Sequence, residues 1–370
     1  MKRLNGMDTF LYFGELPSAP QHTLKIAILD PSREPGGYSF PKALQNLGLR
    51  LHLLTPLRWR VVPTPLNLHN PVFVEDPDFD LEYHIRQLRV EAPGGVREMC
   101  EAISEITSWP LNYDKPLWQI WMLEGLEGGK VASVAKIHHT LADGVASARM
   151  LMRFYTTKPG EEPTASEKDL WKPQPLPSKA SLIGKALVDL PKTLLREVPR
   201  NYRAIKRSKK AQEEQQASGA ELNVPTPFTK VPDTPFNKPL TPHRIYACES
   251  FKLDDIKQMR AALDITINDV FLTTVAGGLR RYLKRHDALP DVPLVGGMPF
   301  SLRGKDDTDN YGNRTVLNYV WLHTDIENIR ERLAATHQSA SEAKLYYHAK
   351  GAAEGFHTAT WLELMPPLFG

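Results

Sequence analysis

Two cysteines in 370 residues, Cys100 and Cys248, are too few for a disulfide framework and do not have metal-ligand spacing. That scarcity suits a reducing cytoplasm, the expected compartment. No run approaches the roughly 18 consecutive apolar residues that a membrane-spanning helix requires. The opening M-K-R-L-N-G-M-D-T-F-L-Y-F-G-E-L-P holds no apolar stretch of signal-peptide length. A charge of one sign is missing as well: 46 Lys and Arg against 43 Asp and Glu leave +3, so nucleic acid is not an expected partner. No G-x-S-x-G elbow, P-loop or G-x-G-x-x-G turn occurs, so a serine hydrolase, an NTPase and a dinucleotide enzyme have no site to stand on.

What is present is a chain with 41% hydrophobic residues, enough for a large core and more than one domain. One stretch asks for chemistry: K-I-H-H-T-L-A-D-G-V, residues 136–145. The preceding V-A-S-V-A-K-I, after Gly128 and Gly129, predicts a buried strand. Val145, Ala148, Met152 and Tyr155, with Leu151, recur at helical spacing and predict a helix from about Leu141 that buries that stripe. His138 and His139 therefore fall on a strand-to-helix turn, where rigid flanks can present a general base. His139 is the better base, and His138 is assigned to support. Asp143, four residues on, could hold the imidazole or brace the turn through an arginine. Gly144 removes a side chain where a substrate or a strand must come close. His139 and Asp143 lack a third ligand with matching spacing, so no metal is expected.

The motif H-H-x-x-x-D-G resembles the signature of acyl-CoA-dependent acyltransferases and of nonribosomal condensation domains. The flanks D-P-D-F-D-L-E-Y-H-I-R (76–86), P-L-W-Q-I-W-M-L-E-G-L (116–126), T-P-F-N (234–237), Asn268-Asp269, P-F-S-L-R (299–303) and Gly312-Asn313 are similar to bacterial wax ester synthase/diacylglycerol acyltransferases, in the right order over nearly the whole chain. One departure is visible. That family usually carries a methionine before the histidine where this chain has Gln21-His22. The resemblance implies an α/β fold of two sandwiched halves related to chloramphenicol acetyltransferase, with the cleft between them. It also implies that Pro116, Leu117 and Trp118 shape the substrate channel, and that Asn268 and Asp269 lie near the cleft; capping a helix is their other available role. Arg58 and Arg303 are the two candidate partners of Asp143. A solvated edge-strand arginine is the alternative for Arg58.

Composition divides the chain into a first acyltransferase half (1–157), a linker (158–243) and a second half (244–370). Repeated Pro with Glu, Lys and Ser marks 158–178 as linker chemistry. Residues 180–210 read as a basic amphipathic helix, either lying in a membrane interface or packed as an ordinary linker. Residues 212–234 read as a polar loop. The hydrophobic spacing of 96–109 predicts a helix facing the core with Met99, Ile103, Ile106 and Trp109. Strands are predicted at 24–29, 55–62, 245–251 and 292–298, the second placing Arg58 and Arg60 on one sheet face. Helices are predicted at 253–263 and 266–283. The apolar end, T-W-L-E-L-M-P-P-L-F-G, predicts a truncated second half with an unpaired sheet edge.

The expected activity is transfer of a long-chain acyl group from acyl-CoA to diacylglycerol or a long-chain alcohol, giving triacylglycerol or wax ester. Acyl-CoA is a co-substrate and no cofactor is expected. Peripheral attachment to a membrane or lipid-droplet surface goes with it. Two rivals remain: condensation-type transfer from a carrier protein, for which no carrier domain is encoded, and a non-catalytic lipid-surface protein with the same fold. Turnover of labelled acyl-CoA separates them.

Overall fold

The computed structural model describes residues 1–155, 174–217, 222–226, 229–301, 313, 315–347 and 362–363. The first half runs β1 (Lys2–Arg3), α1 (Gly6–Phe13), β2 (His22–Leu29), α2 (Phe40–Arg50), β3 (Trp59–Val62), β4 (Val72–Glu75), α3 (Leu81–His84), β5 (Ile85–Arg89), α4 (Val96–Ser108), β6 (Trp118–Glu124), β7 (Val131–His138) and α5 (Gly144–Phe154). A long helix α6 (Lys179–Ala217) follows. The second half holds α7 (Leu253–Leu263), α8 (Ile267–Arg285), β8 (Val295–Ser301), β9 (Thr315–Trp321) and α9 (Ile329–Tyr346).

The sheet that carries the histidines has the order β2-β7-β6-β5, antiparallel except for the parallel β5–β6 pair. Both faces of β7 are buried, which is why its sequence shows no apolar-polar alternation. Val131, Ala135 and Ile137 pack with Leu54, Ile120 and Met150, while Ala132 and Val134 face Ile103 and Ile106 of α4. Lys136 sits fully buried on the α4 side. Its Nζ donates to the carbonyls of Ile106, at 2.8 Å, and Trp109, where the end of α4 leaves acceptors open. Burial pulls this amine down to about 8.

In the second half α8 and α9 pack on the antiparallel β8–β9 pair around Leu272, Ala276, Met298, Val320 and Ala340. The two α/β halves expected from the sequence are those observed.

Several local expectations are overturned. Residues 245–251 form no strand: the amides of Arg244 and Tyr246 bond to the hydroxyls of Ser108 and Ser104 on α4, each at 2.8 Å, so side chains of the first half take the donors that a ladder would have used. Only Trp59–Val62 of 55–62 is strand. Arg58 ends the 3-10 segment Leu51–Arg58 and is buried, so it shares no sheet face with Arg60 by alternation. Helix α5 starts at Gly144 and buries Ala146, Ser147, Met150 and Phe154; of the predicted stripe Leu151 and Tyr155 are half-buried against the core, while Val145, Ala148 and Met152 are exposed, so the buried face is largely a different one. Trp109 lies just past α4 and packs against Trp121, ring centroids 4.9 Å apart. Helix α6 runs to Ala217, beyond the expected 210, and takes the first part of the expected polar loop. Residues 156–173 of the linker, and 364–370 of the apolar end, lie outside the described residues.

Candidate active site

The turn between β7 and α5 is held from three sides. His139 N–H donates to the Gln21 carbonyl at 2.7 Å, His138 N–H to the Leu117 carbonyl at 3.0 Å, and Leu141 N–H back to the His138 carbonyl at 3.0 Å. Asp143 caps α5, its Oδ1 accepting the Ala146 N–H at 2.8 Å. These bonds make the turn a rigid platform.

The two histidines on it are bonded differently. His138 is fully buried, and its Nδ1 accepts the Thr140 N–H at 3.0 Å. The bonding pattern therefore assigns the ring proton to Nε2, which faces Glu15 Oε2 at 3.1 Å and the Tyr113 hydroxyl at 3.2 Å. Burial alone would raise the Glu15 carboxyl, but the bonds from His138 and from Gln21 N–H hold it below its ordinary value. The His139 ring is half-buried and makes no hydrogen bond to the described residues. Burial first, then the Lys25 charge and the neighbouring His138, lower its pKa against a smaller opposing pull from Asp143. These effects favour the neutral imidazole, and its ring nitrogens are unbonded among the described residues.

Among the described residues the second half reaches this turn through Asn313 and Thr315. Asn313 Nδ2 donates to the His139 carbonyl at 2.6 Å and to Asp8 Oδ1 at 2.7 Å. The Thr315 hydroxyl lies 3.5 Å from Asp143 Oδ2. Asp143 does not hydrogen-bond the His139 imidazole, so it braces the backbone of the turn instead of orienting the ring. Arg58 lies on the 3-10 segment that packs against α5, and Arg303 falls outside the described residues.

The comparisons with known proteins agree with one another. The wax ester synthase/diacylglycerol acyltransferase catalytic domain matches residues 4–271. The chain belongs to that family. A relative from Mycobacterium tuberculosis H37Rv with the provisional name diacylglycerol O-acyltransferase is 43% identical over 348 residues, 94% of this chain and 73% of the relative. A second relative from the same strain, with the same provisional name, is 36% identical over 99% of this chain and 76% of its own length. Among solved structures, the wax ester synthase/diacylglycerol acyltransferase from Marinobacter aquaeolei VT8 superposes with a TM-score of 0.63 at 26% identity, covering 100% of this chain and 79% of that one. The first condensation domain of the calcium-dependent antibiotic synthetase, at 12% identity and a TM-score of 0.54 over 95% of this chain and 76% of that one, shares the fold alone.

Within this family's motif, Gly144 opens α5, and among the described residues no atom lies within 4 Å of where a Cβ would stand. Among the described residues it faces open space and no strand. Leu117 and Trp118 are each 1% exposed, and Pro116 is buried beside them. Trp118 stacks on His84 and donates its indole N–H to the Leu57 carbonyl at 2.6 Å. Their side chains are core in this structure, not channel wall, and Leu117 serves the site through the carbonyl that holds His138. Asp269 completes the capping box of α8 with Thr266 and also meets His337 Nδ1 at 2.8 Å, while Asn268 Nδ2 lies 3.6 Å from Met298 Sδ. These contacts all lie within the second half. Sequence reasoning missed Asp8, Glu15, Lys25, Tyr113 and Thr315 because each arrives from a distant segment with no local spacing to announce it. Among the described residues no group of three or more His, Cys, Asp or Glu could hold a metal ion.

Proposed function

We propose that this chain esterifies diacylglycerol or a long-chain alcohol with the acyl group of a long-chain acyl-CoA, by direct transfer with His139 as general base. The difference between the two histidines carries this reading: His138 has both ring nitrogens engaged, whereas the His139 ring is unbonded among the described residues and its pKa is lowered, chiefly by burial. His139 takes the hydroxyl proton as the acceptor oxygen attacks the thioester carbonyl. It then returns that proton to the departing CoA thiolate, a role worth roughly 10²- to 10⁴-fold in rate. His138, tied to Glu15 and Tyr113, supports the turn, and Asp143 fixes its geometry with Arg303 or Arg58 as ionic partner. Gly144 leaves room for the reacting groups. Asn268 and Asp269 act from the second half by shaping it. Acyl-CoA enters as co-substrate and no cofactor takes part.

The reaction belongs at a lipid surface, in the cytoplasm, on a membrane or lipid droplet. Helix α6 supports this. It buries Leu182, Ala186, Glu197, Asn201 and Ala204 against the rest of the chain, while Leu187 (59% exposed), Leu195 (79%) and Tyr202 (70%) face outward among Lys192, Arg196 and Arg203. An outward apolar face edged with cations suits acyl chains under anionic headgroups. No single helix among the described residues is long and apolar enough to cross a membrane.

Labelled palmitoyl-CoA with hexadecanol or diacylglycerol tests the activity: ester product supports it, and binding without turnover refutes it in favour of a lipid-surface protein. Replacing Arg196, Arg200, Arg203 and Lys206 with Gln is expected to weaken co-sedimentation with anionic vesicles by about 1 kcal/mol per cation. Unchanged co-sedimentation would return α6 to a plain linker.

A further inference from the structure

Asp8 belongs to no feature of the motif, yet it lies under the catalytic turn. It occupies the first turn of α1, where Asn5 caps its amide at 2.7 Å, and its side chain is almost wholly buried, with 3% of the residue exposed. A buried carboxylate needs partners, and this one takes two from a single residue of the other half. Its Oδ1 accepts the main-chain N–H of Asn313 at 3.0 Å and the Nδ2 of the same residue at 2.7 Å. The remaining hydrogen on Nδ2 is aimed at the His139 carbonyl, 2.6 Å away. The Asp8 carbonyl also accepts the hydroxyl of Thr140, the next residue in the histidine turn, at 3.0 Å.

Both amide hydrogens of Asn313 are therefore committed, and their directions are set from opposite sides. Without Asp8 the Asn313 amide is free to rotate, and the His139 carbonyl loses a donor aimed by the second half. We propose that Asp8 is a positioning residue for the acyl transfer: through Asn313 it clamps the second half onto the backbone of His139 and so sets where the imidazole stands in the cleft. The clamp joins three segments remote in sequence, and it is the described contact by which the second half touches the proposed base itself.

The inference rests on the proposed function only for its rate readout. The test compares Asp8→Ala, Asn313→Ala, the double variant, Asp8→Asn and the exchange Asp8→Asn/Asn313→Asp in the 370-residue chain, measuring kcat and KM with palmitoyl-CoA and hexadecanol. Each alanine variant is expected to lower kcat at least about tenfold with little change in KM for palmitoyl-CoA, because a small misplacement of a catalytic group acts on the chemical step. The double variant should be no slower than the worse single, as for residues acting through one contact. Asp8→Asn keeps the Oδ1 acceptor and should stay within about threefold of the parent. The exchange separates positioning from mere stability. It restores a bond between positions 8 and 313 but leaves no side-chain donor for the His139 carbonyl, so the melting temperature should recover and kcat should not. Recovery of both, or losses that multiply in the double variant, would overturn the proposal.

A second readout does not need turnover. In folded Asn313→Ala protein the His139 imidazole resonances should titrate at a shifted midpoint. An unmoved His139 overturns the clamp. A parent chain that makes no ester from any acyl-CoA and acceptor overturns the proposed function instead, and leaves this titration to judge the clamp.

Discussion

The two halves give the site different things. In the first half, β6 and β7 are packed on both faces, by α4 on one side and by the Leu54–Met150 cluster on the other. In the second, β8 and β9 form a two-stranded pair backed by α8 and α9, and Leu317 on β9 and Phe271 on α8 stay more than half exposed. The histidines end a strand of the tightly packed half. Among the described residues, what the other half sends to them is Asn313, just ahead of β9, and Thr315, its first residue. The lesson is one of precision. A base must be held to a fraction of an ångström by a fully packed support, whereas a contact from the opposite wall can be delivered by a lighter structure if hydrogen bonds fix its end.

The sharpest test of that contrast lies at the histidines themselves. His139→Ala is expected to lower ester formation by roughly 10²-fold or more with acyl-CoA binding kept. His138→Ala should cost less in rate but more in stability, since it strands the Glu15 carboxylate. Steady-state rates and thermal melts of both variants read this out, and equal rate losses would erase the difference in roles.

Packing comes next. Ile103→Ala, at a fully buried site facing β7, should destabilise by about 2 to 5 kcal/mol, while Leu272→Ala on α8, buried in the smaller cluster of the second half, should fall at or below the lower end of that range. Urea unfolding and amide exchange check it. Exchange as slow in β9 as in β7 would break the comparison.

The seam between the halves carries its own pH dependence. Burial raises the Asp8 carboxyl to about 7, against the bonds from Asn313, with Glu363 adding to the rise and Lys2 opposing it. A group with its folded pKa above its unfolded value near 3.8 contributes most stability below the unfolded pKa and loses it as pH rises through about 7. The parent should therefore lose up to about 4 kcal/mol across that window from this group alone. Asp8→Asn, with nothing to ionise, should not show that loss. Melting temperatures at pH 5 and pH 8 test the sign.

Smaller effects follow at the turn. Because burial and then Lys25 lower the His139 pKa, the acid limb of the rate profile should lie below the ordinary histidine value of about 6.5. Lys25→Met should move it upward, and a limb unmoved by that change would remove Lys25 from the site. Asp143→Ala should destabilise by about 3 kcal/mol or more, the lost cap of α5 supplying about 1 kcal/mol of it and the arginine left without its carboxylate the rest. A loss of only about 1 kcal/mol would remove the arginine pairing and leave Asp143 a cap.

Much of this was legible in the chain. The strand before the histidines, the turn and helices α7 and α8 follow local rules of periodicity and capping that act over a few residues. The phase of α5 failed because Val145, Ala148 and Met152 are apolar and helically spaced yet face outward. Spacing shows that a helix has a face, but it does not show which side the rest of the chain will cover. Residues 245–251 failed for a related reason: a strand needs a partner edge, and here serine hydroxyls on α4 supplied the acceptors first.

The sequence alone determined the chemistry available at one turn, a histidine pair, an aspartate and a glycine between a strand and a helix, and through the order of its flanking blocks it determined the family. Tertiary structure decided which histidine is free. His138 is tied by Glu15 and Tyr113, and the backbone of His139 is held by Gln21 and Asn313. Those partners come from three segments with no common spacing, and only the folded sheet and the closure of the two halves bring them within hydrogen-bond distance. Hydrogen bonding at that range depends on ångströms in space and not on separation along the chain, so roles set by partners stay unwritten until the chain has packed.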